Sequence, residues 1–293
     1  IHTMLGRYSR SKAKADILII DEASMVDINL MKQVVEVLSD TSTLILVGDP
    51  DQLPSVGPGQ VLKDLINCNI FPIAHLKRNY RQDSGSDISS AAHKVISGEM
   101  PRSGTGQTER DFSFIAEDHD ERILDRILDL YFSQLPRVHE FNPVHDIQIL
   151  SPMRRGLVGI ENINKLIQSN LNNGRSPVIQ YKNGFTLFEG DKVIQTQNDY
   201  DNTLMNGETG HVLEKKDGKV LIEFDSKVVS CDFNMLKNIQ LAFATSIHKS
   251  QGSEYPAVLI PVSKTHINML SRNLLYTAIT RGKKMYFQWV WWL

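Results

Sequence analysis

Ile17-Leu18-Ile19-Ile20-Asp21-Glu22 is the stretch from which the fold can be read. The short apolar run over 16–20 stops at two acids, the pattern of a buried strand. Working outward, residues 28–38 carry apolar side chains at helical spacing behind Asp27, which is suited to be an N-cap. A second apolar run, 43–47, ends at Gly48-Asp49; residues 60–66 read as a helix and 72–76 as a third strand. Strands alternating with helices imply a parallel sheet covered on both faces.

The stretch 83–108 is rich in Ser and Gly, with one helical patch, and reads as a junction between domains. The alternation then resumes, with strands at 112–115 and 146–151 and helices at 121–132 and 157–171. Residues 184–232 differ: short alternating runs (192–196, 210–213, 220–224, 228–231) are separated by turns such as Asn206-Gly207 and Asp217-Gly218. That pattern predicts a small antiparallel β module closed as a barrel. Helix and strand alternation returns from residue 239 to the end. The order gives two α/β domains with a β insert in the second.

Bulk composition narrows the classes. Across 293 residues, 41% hydrophobic and 23% charged content are those of a soluble globular protein, long enough for two domains. No apolar run approaches the ~20 residues of a membrane helix, and no charged-then-apolar leader opens the chain. A formal charge of −2 speaks against holding nucleic acid by bulk positive charge, so any contact must come from local groups in a groove. Cys68 and Cys231 form no CxxC pair and read as free thiols in a reducing cytosol. The histidines show no HExxH spacing.

Several strings carry chemistry. The strand ending in Asp21-Glu22 has the form of a Walker B segment. Its acids fall at the carboxyl end of a parallel strand, where such sheets bind ligands. Asp21 would hold a magnesium ion and Glu22 would orient or deprotonate an attacking water; alone, the run also fits a strand that ends in two solvated acids. Gly48-Asp49-Pro50-Asp51-Gln52-Leu53-Pro54-Ser55 closes the next strand and would bring Gln52, whose amide both donates and accepts, to the same phosphate. By itself it is also an ordinary polar turn. Arg81, in Leu76-Lys77-Arg78-Asn79-Tyr80-Arg81-Gln82, falls at the edge of the first domain, and Arg281 ends the apolar helix 274–281; each in isolation reads as a surface or helix-end cation. Residues 244–255, ATSIHKSQGSEY, offer hydroxyls, His248 and Lys249 for a DNA backbone.

Together these strings resemble, in order and spacing, the later motifs of superfamily 1 helicases of the RecD-like family, the exodeoxyribonuclease V α subunits and their stand-alone relatives. DEASMVD, VGDPDQLPSVGPG, SPMRRG, IHKSQGSEY and NLLYTAITR carry the likeness, which runs from IHTMLG at the start to about Lys284. The resemblance implies two RecA-like parallel-sheet domains, the first incomplete (1–83) and the second at 84–183 and 239–293, with an SH3-like β-barrel at 184–238 inserted in the second. It implies ATP and Mg2+ as cofactors and 5′ to 3′ movement on single-stranded DNA in recombination and repair. Asp21 (also the metal ligand), Glu22, Gln52, Arg81 and Arg281 become catalytic. Asp49, Gly252 and Glu254 fall to the nucleotide, and His2, Thr3, Thr245, His248 and Lys249 to DNA. Implied partners are single strands and duplex junctions, with RecB- and RecC-type subunits or none, in the cytoplasm and away from membranes.

The chain departs from that pattern in two places. No GxxxxGK[ST] occurs: Gly218-Lys219 is followed by Val and Gly282-Lys283 by Lys. The chain therefore reads as a fragment, with its phosphate loop expected upstream of Ile1 and no ATP hydrolysis expected from residues 1–293. The tail MYFQWVWWL (285–293) is unusual for the family, and is either an edge strand or foreign sequence. Two rivals remain: a helicase domain of a conjugative relaxase or viral replication helicase, and a non-catalytic DNA-binding or partner-docking piece. A nuclease reading lacks a clustered acidic and lysine motif.

Overall fold

The computed structural model describes residues 1, 5, 15–76, 86–101, 104–105, 110–181, 185–225 and 227–290. The first unit contains β1 (Ile17–Ile20), α1 (Ile28–Val37), β2 (Thr43–Leu46) and α2 (Val61–Asn67). The strands pair in parallel, Ile17 against Thr43 through Ile20 against Leu46. Asp27 caps α1 by accepting from the Leu30 N–H at 2.7 Å. Ile20, Ala23, Met31, Val34, Val61 and Leu62 form a small core on one side of the sheet. The other side is open, with Ile17 58% and Ile19 62% exposed. The third strand expected at 72–76 does not form; no strand is assigned there, and Leu76 is 91% exposed. Its residues have the composition of a strand but no strand partner among the described residues, and an isolated strand leaves its backbone groups unpaired.

The second unit begins with α3 (Asp87–Ser97), β3 (Gly104–Thr105), β4 (Phe112–Ala116) and α4 (Asp120–Asp129). A π-helical turn over Leu130–Gln134 leads into α5 (Leu135–His139), followed by α6 (Pro143–Asp146), β5 (Ile147–Leu150) and α7 (Ile160–Leu171). The helical patch seen in the Ser- and Gly-rich stretch is thus a core element: Ile88 on α3 is fully buried. The insert follows as β6 (Ile179–Gln180), β7 (Thr186–Leu187), β8 (Lys192–Gln195), β9 (Thr209–Lys216), β10 (Lys219–Phe224), β11 (Lys227–Cys231), α8 (Phe233–Leu236) and β12 (Ile239–Leu241). The chain then returns through β13 (Ala244–Thr245), β14 (Tyr255–Ile260), α9 (Arg272–Ile279) and β15 (Gly282–Val290).

Six parallel strands in the order β13-β5-β14-β15-β4-β3 build the second unit's sheet. Both faces are covered. Ile147, Ile149, Leu259 and Phe287 pack toward α4, α5 and α7, while Leu150, Val258, Ile260 and Tyr286 pack toward α3 and α9. The described part of the unusual tail, 285–290, is therefore neither an edge strand nor an appendage. β15 lies between β14 and β4, and Trp289 is fully buried in the first of these cores.

The insert is a five-stranded antiparallel sheet in the order β11-β10-β9-β8-β12, as the alternation predicted. Its two edge strands do not pair among the described residues, so hydrogen bonding leaves it an open sheet rather than the closed barrel expected. Val193, Val212, Val220, Ile222, Phe224 and Cys231 fill its own core, and burial pushes the Cys231 thiol up to about 11. Neither cysteine is in a disulfide. Asp191 fixes the insert to α7 by accepting from Asn172 Nδ2 at 3.1 Å and from the Gln168 amide. Among the described residues, no helix is long and apolar enough to cross a membrane.

Candidate active site at the junction of the two units

The acids sit where the strand pattern puts them. Asp21 follows the last residue of β1 and is exposed, its Oδ1 accepting the Glu22 N–H at 2.8 Å. Glu22 has φ 50° and ψ 42°, a left-handed conformation that costs a non-glycine residue roughly 1–3 kcal/mol. The surrounding ladder holds it there: Val47 N–H donates to Ile20 O at 2.8 Å and Ala23 N–H to Val47 O at 2.9 Å. These bonds set the carboxyl end of β1 against that of β2. Gly48 is required at the crossing, because a Cβ there would stand 2.9 Å from the Ala23 nitrogen.

The loop after β2 bridges the units. Asp49 Oδ1 accepts the Asp51 N–H at 3.0 Å; Asp49 Oδ2 accepts the Tyr276 hydroxyl of α9 at 2.7 Å and, weakly, Gln52 Nε2 at 3.5 Å. Gln52 Oε1 is buried with no hydrogen-bond partner among the described residues. Leu53 leaves the first unit altogether: it packs with Ile88, Ala91, Leu274 and Ala278, the core under α3 and α9. Its N–H donates to Thr277 Oγ1 at 2.7 Å and its carbonyl accepts Gln251 Nε2 at 3.0 Å. Asn273 Nδ2 reaches the Asp51 carbonyl at 2.8 Å. Burial and the neighbouring Asp49 charge push the Asp51 carboxyl up from its usual range.

Arg281 follows the end of α9 by two residues and is 2% exposed. Its Nε donates to Thr277 O at 3.1 Å and one terminal nitrogen to Ser253 O at 3.0 Å, both acceptors lying in its own unit. Glu254 pairs with Lys283 at 2.9 Å, and Gly252 takes φ +76° in the turn ahead of it. Of the string 244–255, Thr245 is buried on β13, its hydroxyl without a partner among the described residues. His248 is exposed at the start of a short 3-10 turn. Lys249 is half-buried, and burial followed by the nearby Arg154 charge lowers its pKa. His2, Thr3 and Arg81 lie outside the described residues.

Sequence reasoning thus named the acids, Gln52 and Arg281, but missed the residues that join the units: Leu53, Gln251, Asn273, Tyr276 and Thr277. A signal existed. Asn273, Tyr276 and Thr277 are polar groups three and four apart on an otherwise apolar helix, which puts them on one face. Arg154 was also passed over, although it sits in SPMRRG.

The residues present suit part of a magnesium–nucleotide site. Two adjacent carboxylates at a parallel-strand end match magnesium's preference for oxygen ligands, and the partnerless Gln52 oxygen suits a water or a metal-bound hydroxyl donor. The phosphate-cradling loop is not supplied by any GxxxxGK[ST] in the 293 residues.

The family described as an AAA domain matches residues 1–117, and the UvrD-like helicase C-terminal domain matches residues 241–287. The ATP-dependent RecD2 DNA helicase of Deinococcus radiodurans is 35% identical over 98% of this chain, and 39% of that protein is covered. The RecBCD enzyme subunit RecD of Mycolicibacterium smegmatis is 28% identical over 97% of the chain, with 53% of that protein covered. The chain thus spans between two fifths and just over half of the length of these relatives. In fold it is similar to the Pif1 helicase of Bacteroides solved with ADP-AlF3 and single-stranded DNA: TM-score 0.59, 19% identity, 94% of this chain and 70% of that one. Pif1 of Candida albicans gives a TM-score of 0.56 at 16% identity, over 98% of this chain and 74% of that one.

Proposed function

We infer from the chain's membership of the RecD-like superfamily 1 helicases that it forms the greater part of an ATP-driven DNA-translocating motor. The observation that carries this reading is the junction itself. Asp21 and Glu22 follow one strand, Gln52 lies on the loop after the next, and that loop is hydrogen-bonded to α9, which ends two residues before Arg281.

ATP with magnesium would supply the cleavable phosphoanhydride and the charge neutralisation that phosphoryl transfer needs. Asp21 would hold the metal. Glu22 accepts a proton from the attacking water, and Gln52 orients that water through its free carbonyl oxygen. Arg281, with Arg81 by family resemblance, stabilises charge developing on the phosphoryl oxygens. Arg281 starts from bonds to Ser253 and Thr277, so its approach is a rearrangement of the second unit's edge. Glu254 and Gly252 lie on the nucleotide side. Single-stranded DNA is gripped by His248 and Lys249 with Arg154 beside them, and by His2 and Thr3. The insert, an SH3-like module by resemblance, lines the same path.

Movement runs 5′ to 3′, at duplex junctions, in recombination and repair in the cytoplasm, either alone or with RecB- and RecC-type subunits. The 293 residues by themselves, having no GxxxxGK[ST], do not hydrolyse ATP. In full-length protein, Glu22→Gln is expected to cut DNA-stimulated ATP hydrolysis by about 10²- to 10⁴-fold, the usual contribution of a general base, while nucleotide binding persists. Normal unwinding by that variant would refute the assignment.

A further inference from the structure

α9 and the residues just after it carry two kinds of group. Asn273, Tyr276 and Thr277 hold the loop of the first unit, and Arg281, one turn further, carries the cation. The loop they hold contains Gln52. Of the hydrogen bonds it makes with α9 among the described residues, the one from Tyr276 ends on a side chain, the carboxylate of Asp49, and the others on its backbone.

That carboxylate is the hydrogen-bond acceptor for the Gln52 side-chain amide among the described residues. Asp49 Oδ1 is occupied by the Asp51 N–H, and Oδ2 takes the Tyr276 hydroxyl at 2.7 Å and the Gln52 Nε2 at 3.5 Å. The short bond sets where the carboxylate points, and the long one follows it. Gln52 Nε2 is thereby engaged while Oε1 stays buried and without a partner. An amide held by its nitrogen presents its carbonyl oxygen in one direction.

We propose that Tyr276 is a positioning residue for hydrolysis, which acts through Asp49 to aim the Gln52 amide and so ties the water-orienting loop of one unit to the arginine-bearing helix of the other. Asp49 is then a strut between the units and not a nucleotide ligand. The inference rests on the ATP-hydrolysing reading above and adds to it a coupling device. The Tyr276 environment agrees: burial, and then the hydrogen bond to Asp49, raise its pKa well above the ordinary phenol value. Tyr276 therefore keeps its proton and remains a donor throughout the working pH range.

Tyr276→Phe removes one oxygen and leaves the ring. The test uses full-length protein and measures kcat and KM for DNA-stimulated ATP hydrolysis, the melting midpoint, and hydrogen exchange of the segment 49–55. The expected result is a loss of about 10- to 100-fold in kcat, the size that misplacement of a reacting group produces, with KM for ATP and the melting midpoint close to wild type. Exchange over 49–55 should quicken, because the loop loses one of its anchors. Asp49→Asn should lower kcat similarly, and the double variant should be no worse than either single one, since both break one contact. Wild-type kcat in Tyr276→Phe, additive losses in the double variant, or a kcat loss matched by a fall in melting midpoint overturns the proposal. Should the wild-type protein hydrolyse no ATP, the functional reading fails by itself. The exchange data then decide the strut: unchanged exchange rejects it and faster exchange retains it as a link between the units.

Discussion

The two parallel sheets of this molecule are built to different standards of closure. In the second unit Ile147, Ile149 and Leu150 of β5 are fully buried, with helices on both sides. In the first, alternate residues of β1 divide: Ile20 is 4% exposed, whereas Ile17 and Ile19 are more than half exposed. Parallel sheets are stable when both faces are covered. The smaller sheet meets that condition on one face only, and its loop reaches across to bury Leu53 in the larger unit's core. The proposed catalytic acids therefore sit on the less enclosed scaffold and the arginine on the more enclosed one. The bridging loop is held to the larger unit by a few hydrogen bonds and one apolar side chain, a junction small enough to permit relative movement of the two.

The largest test of this contrast is Arg281. If the enclosed unit contributes chiefly transition-state charge, Arg281→Ala in full-length protein should leave ATP binding in place and lower turnover by about 10³- to 10⁵-fold, the worth of an arginine finger. ATPase titrations beside equilibrium nucleotide binding separate the two effects. Unwinding at a normal rate would reduce Arg281 to a structural cation that ties Ser253 to Thr277.

A paired substitution breaks or sustains the contrast between the sheets directly. Ile149→Ala empties a fully buried site and should cost about 2–5 kcal/mol. Ile19→Ala, on the open face, should change the stability of residues 1–293 by less than about 0.5 kcal/mol. Denaturant unfolding of the two variants is the measurement. A large cost at Ile19 would mean that its face is covered in solution.

How much of this was legible beforehand depended on whether the determinant was local. The β1 and β2 runs, the Asp27 cap and the strand–turn pattern of the insert are local signals, and each element formed where expected. Residues 72–76 failed because strand propensity is a preference for a neighbour, which sequence does not display. The same limit hid the place of β15: Trp289, near a terminus, looks exposed until β4 and β14 are seen on either side. The acids and Gln52 could be singled out as candidates because their chemistry is concentrated in short strings. Tyr276 was missed because its partner Asp49 is 227 residues away, and LLYTAITR drew attention only to its arginine.

The smallest expected effect concerns DNA, and it asks whether the enclosed unit also carries the grip. Lys249 and Arg154 lie close enough for the Arg154 charge to lower the Lys249 pKa, after burial. Placing like charges together costs energy, and a strand of phosphates would offset that cost. Arg154 already has one anion, Glu161, at 2.6 Å, so Lys249 is the cation with more to gain from a phosphate. In full-length protein, Lys249→Ala should weaken binding of labelled single-stranded oligonucleotides of any sequence by a similar factor. It should also flatten the dependence of log affinity on log salt by about 0.7, the share of one phosphate contact on a single strand. Fluorescence anisotropy over a salt series reads both quantities. Arg154→Ala should flatten the slope by less, because Glu161 already neutralises part of its charge. An unchanged slope in Lys249→Ala would place this pair away from the strand. The contrast between the units would then concern nucleotide alone.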